Sequence, residues 1–222
     1  YPLIGNYGIP SAKELDEFGM PQHFEWFDDI SVSALIVGEF CETPSHWREQ
    51  QTLGQWMNDH NVPGISGIDT RALTKKIREN GTILGCIIYN KEEANVKKGM
   101  QFNDPNTRNL VAECSVTTTK IFNAKGSPRI CAIDCGLKLN QIRCLVSRGA
   151  RVELVPWNYQ LDESQFDGLF VSNGPGNPFM CKDVVAQIQR VLQNGNKPIF
   201  GICLGHQLLA TAIGCQTFKM KY

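Results

Sequence analysis

The sequence lacks the features that mark several classes of protein. It has no excess of charge of either sign, with 22 basic and 22 acidic residues among 222, so we expect neither nucleic acid nor an anionic membrane as a partner. No apolar run approaches the length that spans a bilayer, and nothing resembles a signal peptide. Internal repeats and low-complexity tracts are also missing. A chain of this length is long enough to form two globular domains.

The nine cysteines include no C-x-x-C pair. That spacing is the usual signature of a structural zinc site or a dithiol redox motif, so both are disfavoured. Several cysteines lie inside apolar segments, among them Cys86, Cys131 and Cys144. We therefore expect reduced thiols, no metal site and a cytoplasmic protein. The chain starts without methionine and closes on a strand-like segment at Tyr222, which predicts a fragment truncated at both ends.

The pattern along the chain predicts two domains. Residues 129–222 alternate short apolar segments with amphipathic ones, which is typical of a doubly wound, mostly parallel α/β sheet. Residues 117–128, with Lys-Gly-Ser-Pro near their end, read as a linker. Residues 1–116 mix strand and helix signals and predict a smaller mixed α/β domain. The expected strands of the second domain are Arg129–Asp134, Val152–Val155, Gly168–Val171 and Pro198–Ile202, and the expected helices are Leu137–Ser147, Asp183–Gln193 and Leu204–Ile213.

Several elements of the first domain can also be predicted. Ser11 and Glu14 have the spacing of a capping box, which predicts a short helix closed near Gly19. Asp69 is expected to cap a second helix that ends at Asn80-Gly81. Strands are expected over residues 31–37 and 82–89.

Residues 199–207, Ile-Phe-Gly-Ile-Cys-Leu-Gly-His-Gln, have the pattern of a nucleophile elbow, a sharp strand-to-helix turn that presents one reactive side chain. Gly201 and Gly205 flank Cys203 because such a turn leaves no room for a Cβ atom. At a helix N-terminus the Cys203 thiolate should form more easily, and the N–H of Leu204 could hold a developing oxyanion. The alternative is a small buried cysteine between two packing glycines.

A second loop, Ser-Asn-Gly-Pro-Gly-Asn-Pro at residues 172–178, follows the strand Gly168–Val171. In parallel sheets, ligands gather at the carboxyl ends of the strands, where both this loop and Cys203 are expected. Alone, the loop would be an ordinary turn. Beside a cysteine elbow it could supply a second oxyanion donor, and two such donors around a thiolate suit acyl transfer through a thioester.

No general base can be assigned within the chain. Its histidines are His23, His46, His60 and His206. The first three lie among polar, surface-like residues. His206 is one helical turn past Cys203 and is expected to pack and bond behind the elbow, away from the thiol.

The elbow and the loop at 172–178 resemble those of the class I glutamine amidotransferase domain over about residues 129–222. The resemblance implies that Cys203 is the nucleophile that attacks the side-chain amide of L-glutamine. It further implies that the N–H groups of Gly174 and Leu204 bind the oxyanion, and that Gly176 and Gln207 help to hold glutamine.

Segments of the first domain identify more specifically which kind of amidotransferase the chain resembles. Residues 1–8, Tyr-Pro-Leu-Ile-Gly-Asn-Tyr-Gly, and the stretch from Gly67 to Gly85 are similar to the N-terminal domain of the glutaminase subunit of carbamoyl-phosphate synthetase. The segment from Asp134 to Arg143 and Val155-Pro-Trp157 fit the same family. The sequence of these segments most resembles that of the multifunctional pyrimidine-synthesis proteins of animals, in which a synthetase is fused to the glutaminase. ATP and Mg²⁺ belong to that synthetase, so no cofactor is expected in this chain.

The resemblance also defines what to expect of residues 1–222 alone. The family's catalytic histidine and its carboxylate partner lie downstream of Tyr222, so we expect little or no glutaminase activity from this fragment. Two alternatives stay open: a non-catalytic regulatory or docking domain of the same fold, and a glutamine-dependent synthetase of the urea or arginine pathway.

Overall fold

A computed structural model describes residues 1–26, 30–88 and 101–218. They form two compact units, the first ending at Cys86 and the second beginning at Ile87. Within the described ranges no helix is long and apolar enough to cross a membrane.

The described part of the first unit is built from very short strands and two helices. β1 (Leu3–Ile4) pairs with β3 (Glu39–Phe40), and β2 (Leu35–Ile36) pairs with β4 (Gly64–Ile65), both in parallel. The helices are α1 (Leu53–Asp59) and α2 (Thr70–Asn80).

Both helices begin at a side-chain cap. The hydroxyl of Thr52 accepts from the N–H of Gln55, whose side chain accepts from the N–H of Thr52, so α1 begins with a reciprocal capping box. The predicted cap of α2 is confirmed, since the carboxylate of Asp69 accepts from the N–H of Ala72 at 2.9 Å. The helix then ends at Gly81, as expected.

Other predictions for this unit were wrong. No helix follows Ser11, because the Asp16 carboxylate accepts from the N–H groups of Phe18 and Met20 and turns the chain back on itself. The strand expected over 31–37 is reduced to Leu35–Ile36. Residues 82–88 form no strand, and residue 89 lies outside the described residues.

The second unit contains a five-stranded sheet with the order β5-β7-β6-β8-β9. Only β5 is antiparallel, which confirms the predicted doubly wound, mostly parallel α/β class. The strands are β5 (Lys120–Phe122), β6 (Arg129–Asp134), β7 (Arg151–Pro156), β8 (Gly168–Val171) and β9 (Ile199–Gly201). Among its described residues, the helices are α3 (Leu110–Cys114), α4 (Leu139–Val146), α5 (Lys182–Asn194) and α6 (Leu204–Ala212).

The sheet order places a switch point between β6 and β8. The chain leaves β6 towards β7 on one side and leaves β8 towards β9 on the other. Right-handed crossovers then put α4 on one face and α5 on the opposite face. The chain thus leaves these two strands in opposite directions, and the carboxyl end of the strands at such a switch point is where open α/β sheets bind ligands.

Alternate residues of the central strands β6 and β8 are buried between the sheet and the helices. Cys131 and Ile133 of β6 and Leu169 and Val171 of β8 share one core with the inner faces of α5 and α6. Burial of every residue of β8 explains why its apolar sequence predicted its bounds correctly.

The predicted linker over 117–128 is partly built into the sheet. Lys120–Phe122 forms β5, which pairs antiparallel with β7, and Phe122 is buried. The boundary between the compact units lies between residues 86 and 87. The sequence pattern placed the boundary later, at the linker over residues 117–128. Because β5 has only three residues and is flanked by polar ones, the sequence pattern did not predict a strand here.

Candidate active site

Cys203 lies at a sharp turn between β9 and α6. Its backbone has φ +52° and ψ −107°, a conformation that residues with a side chain rarely adopt, and it occupies the N-cap position of α6. The residue is exposed. The structure therefore has the predicted elbow shape and presents the cysteine outward, at the end of the helix that favours an anion.

The two flanking glycines are required by close backbone contacts. A Cβ atom on Gly205 would stand 2.1 Å from the carbonyl oxygen of Val171, and one on Gly201 would stand 2.5 Å from the carbonyl oxygen of Gly205. Both distances are far below any real contact, and backbone atoms cannot move aside as a flexible side chain can. The expected reason for these glycines is confirmed.

The same packing fixes the elbow to the loop that follows β8. The N–H of Ile202 donates to the carbonyl of Val171 at 3.0 Å, and the N–H of Gly205 donates to the carbonyl of Ser172 at 3.1 Å. The nucleophile turn thus begins where the loop at 172–178 begins.

This arrangement makes Gly174 and Leu204 neighbours. A Cβ atom on Gly174 would stand 3.0 Å from the side chain of Leu204 and 1.8 Å from the carbonyl oxygen of Cys135. Among the described residues, neither the N–H of Gly174 nor that of Leu204 has a hydrogen-bond partner. Two available donors therefore lie on adjoining segments beside the cysteine, which is the composition of an oxyanion hole.

Gly176 and Gln207 lie on the same two segments. Gly176 has φ +86°, a left-handed conformation that favours glycine, and Gln207 is exposed in the first turn of α6. The side-chain amide of Gln207 makes no hydrogen bond to a described residue. Both residues are consequently available to a ligand at the elbow.

His206 differs from the expectation. It is exposed and does not pack behind the elbow. The buried face of α6 is formed by Leu204, Gly205 and Leu208, and a residue midway between positions 204 and 208 points to the opposite side of a helix. No hydrogen bond joins its ring to the sulfur of Cys203, so the structure does not place His206 as the base for this thiol.

Three other thiols are buried, whereas Cys203 is exposed. Burial raises the pKa of Cys181 to about 11 and that of Cys131 to about 12. Burial also raises the pKa of Cys135 well above its ordinary value. These cysteines are inert at neutral pH, whereas Cys203 combines exposure with a helix N-terminus.

Sequence reasoning missed the polar residues that support the loops. The buried Asp134 carboxylate accepts from the N–H groups of Gly136, Leu137 and Val116 at 2.8–2.9 Å. Ser172 is fully buried and connects the loops after β6 and β8. An Asp two residues before a glycine at a strand end is a recognised turn signal and could have identified the first of these supports.

Comparisons with known proteins follow the same two-part division. Residues 131–222 match the family model of class-I glutamine amidotransferases, and residues 1–87 match that of the carbamoyl-phosphate synthase small chain, CPSase domain. The multifunctional protein CAD of Squalus acanthias is 48% identical over 225 residues, which cover 100% of this chain and 10% of that protein. The human protein named carbamoyl-phosphate synthase (ammonia), mitochondrial, is 41% identical over 222 residues, or 99% of this chain and 14% of that protein.

A solved structure also matches part of the chain. A Thermoplasma acidophilum protein described as part of a GMP synthase is 30% identical, with a TM-score of 0.34, over 39% of this chain and 45% of that one. The chain carries a class-I glutamine amidotransferase domain and a carbamoyl-phosphate synthase small-chain domain. It spans only 10–14% of the length of its curated relatives.

Proposed function

We propose that this chain is the glutamine-hydrolysing part of a carbamoyl-phosphate synthase that serves pyrimidine synthesis in the cytoplasm. The supporting observation is the exposed cysteine at a strained elbow, with two N–H groups on adjoining segments that no described residue engages in a hydrogen bond. The two matched families and the similarity to CAD agree with this proposal. The nine free thiols agree with a reducing compartment.

In this mechanism the Cys203 thiolate attacks the side-chain carbonyl carbon of L-glutamine. The carbonyl oxygen becomes an oxyanion, which accepts hydrogen bonds from the N–H groups of Gly174 and Leu204. The C–N bond then breaks, and the nitrogen takes up a proton and departs as ammonia. The γ-glutamyl group remains on the sulfur as a thioester. Water hydrolyses the thioester to glutamate and restores the thiol. Gly176 and Gln207 hold the substrate beside the nucleophile.

Ammonia release also requires a general acid and base. His206 is exposed on α6 and makes no hydrogen bond to the thiol, so we propose that the base lies outside residues 1–222. A synthetase domain, which holds ATP and Mg²⁺, would receive the ammonia. Residues 1–222 alone should then release little ammonia from glutamine, and steady release by that purified fragment would contradict this part of the proposal.

The test of the nucleophile is Cys203→Ala in the full-length protein. We expect glutamine-dependent carbamoyl phosphate synthesis to fall by at least about 10³-fold, as for loss of other covalent nucleophiles. Synthesis from added ammonia should be kept. Cys144→Ala, which removes another exposed cysteine, is the matched control and should leave both activities unchanged. Equal activity of Cys203→Ala and the parent protein with glutamine would overturn the proposal.

The name of the human relative specifies ammonia, which keeps a non-catalytic docking role for this chain as the second candidate. A glutamine-mimicking electrophile distinguishes the two. Selective labelling of Cys203 in the full-length protein supports catalysis, and its absence supports docking.

A further inference from the structure

Ser172 occupies an unusual position behind the candidate oxyanion hole. Its side chain is fully buried, and its hydroxyl lies between two backbone groups. The N–H of Cys135 contacts the hydroxyl oxygen at 2.9 Å, and the carbonyl oxygen of Asn173 lies 2.8 Å from it. An N–H can only donate and a carbonyl can only accept, so the hydroxyl must accept from Cys135 and donate to Asn173.

The second of these bonds acts on the peptide group that carries the Gly174 N–H. The carbonyl of Asn173 and the N–H of Gly174 belong to the same planar peptide, in which the oxygen and the hydrogen point in opposite directions. A hydrogen bond that holds the carbonyl oxygen inward therefore holds the N–H outward. Rotation of this peptide would break the bond and would bury the donor.

The neighbouring contacts hold the Asn173 residue itself. Its side-chain amide donates to the carbonyl of Gly136 at 2.9 Å and accepts from the side chain of Gln141 at 2.7 Å. On the other side, the Cα of Gly174 packs against the carbonyl of Cys135, since a Cβ there would stand 1.8 Å away. The loops after β6 and β8 are thus joined at several points, and among the described residues the Ser172 hydroxyl is the group that bonds the Asn173 carbonyl itself.

We propose that Ser172 is a positioning residue, whose hydroxyl fixes the Asn173–Gly174 peptide with its N–H directed at the oxyanion. This inference rests on the proposed function, because it assigns a role only if Cys203 forms a tetrahedral intermediate. The hydroxyl does not touch substrate. It acts through the Gly174 peptide, and its effect should appear in the acylation step and leave glutamine binding nearly unchanged.

The test is Ser172→Ala in the full-length protein. We expect kcat for glutamine hydrolysis to fall by about 10–100-fold, less than the loss of a whole oxyanion donor, with KM changed less than about threefold. Alkylation of Cys203 by iodoacetamide forms no oxyanion, and its rate should stay within about twofold of the parent rate. The alkylated peptide is identified by mass spectrometry.

Ser115→Ala is the matched control. Its hydroxyl also bridges two backbone groups, accepting from the N–H of Trp157 at 2.9 Å and donating to the carbonyl of Val116 at 3.5 Å. This variant should lose some thermal stability and keep the parent kcat. Should Ser172→Ala fail to fold, Ser172→Cys keeps the volume with a weaker donor, and its kcat should be reduced in the same way.

Each outcome decides the question. A reduced kcat with unchanged alkylation supports the positioning role. Equal losses in hydrolysis and alkylation show a general structural role and overturn it, and so does an unchanged kcat in either Ser172 variant. If the parent protein itself neither hydrolyses glutamine nor labels selectively at Cys203, the proposed function has failed, which is a separate result.

Discussion

The strained backbone at Cys203 predicts that glycine should be more stable there than alanine. Both substitutions remove the thiol, and they differ only in the Cβ atom, which the φ of +52° disfavours. A residue with a side chain in such a conformation costs about 1–3 kcal/mol. Glycine loses about 0.5–1 kcal/mol more than alanine through chain entropy on folding. The net difference is about 0–2.5 kcal/mol, centred near 1 kcal/mol, in favour of Cys203→Gly.

A second effect has the same direction. Cys203 is the N-cap residue of α6 and makes no side-chain cap hydrogen bond, and glycine is preferred over alanine at this position. Because about 1 kcal/mol shifts the melting temperature of a chain of this size by roughly 2–4 °C, calorimetry of the two variants can resolve the difference.

For the control substitution, Ala210→Gly, the expected stability difference between glycine and alanine has the opposite sign. Ala210 lies inside α6, where glycine should be about 1 kcal/mol less stable than alanine. We therefore expect Cys203→Gly to melt above Cys203→Ala, and Ala210→Gly to melt below the parent protein. If glycine lowers the melting temperature at both positions, the elbow stores no strain and the reasoning is refuted.

Two further predictions concern stability. Gly205→Ala should destabilise the second unit by about 3 kcal/mol or more, since its Cβ would meet backbone at 2.1 Å, whereas Gly168→Ala, with no contact closer than 3.4 Å, should cost less than about 1 kcal/mol in urea unfolding. Hydrogen bonds from the Arg129 guanidinium and N–H lower the pKa of Asp167 to about 2, so its stabilisation is complete above pH of about 4 and is lost as the pH falls towards 2. Asp167→Asn should consequently be less stable at pH 6 but lose less stability between pH 4 and 2; parallel acid profiles for the two proteins would contradict this assignment.

The accuracy of the sequence predictions follows the physical origin of each element. β6 and β8 were predicted with their observed bounds because the central strands of a parallel sheet are largely buried on both faces, so their sequences are nearly continuous apolar runs. The helix at Asp69 was predicted because its cap is local. In contrast, β1 and β3 contain two residues each and exist only through pairing between distant segments. No local pattern encodes such a pair.

Competition between local signals explains the wrong helix near residue 11. Ser11 and Glu14 have the spacing of a capping box, but Asp16 offers its carboxylate to two N–H groups within four residues. Gly19 has φ +79° and completes the reversal. Side-chain hydrogen bonds to nearby backbone compete with helix formation, and the composition of the segment does not show which will prevail.

The candidate site shows the same division between what is local and what is not. The position of Cys203 is determined by a few adjacent residues, because the glycines, the strand and the helix all precede or follow it directly. In the proposed site, the Gly174 N–H is oriented through the hydroxyl of Ser172, which accepts from the N–H of Cys135, 37 residues away along the chain. A serine in that position has no distinguishing sequence signal, since its importance comes from the strand order that places β6 beside β8. A motif can therefore identify the candidate nucleophile, while the groups that we propose orient an oxyanion donor become recognisable only when the sheet is assembled.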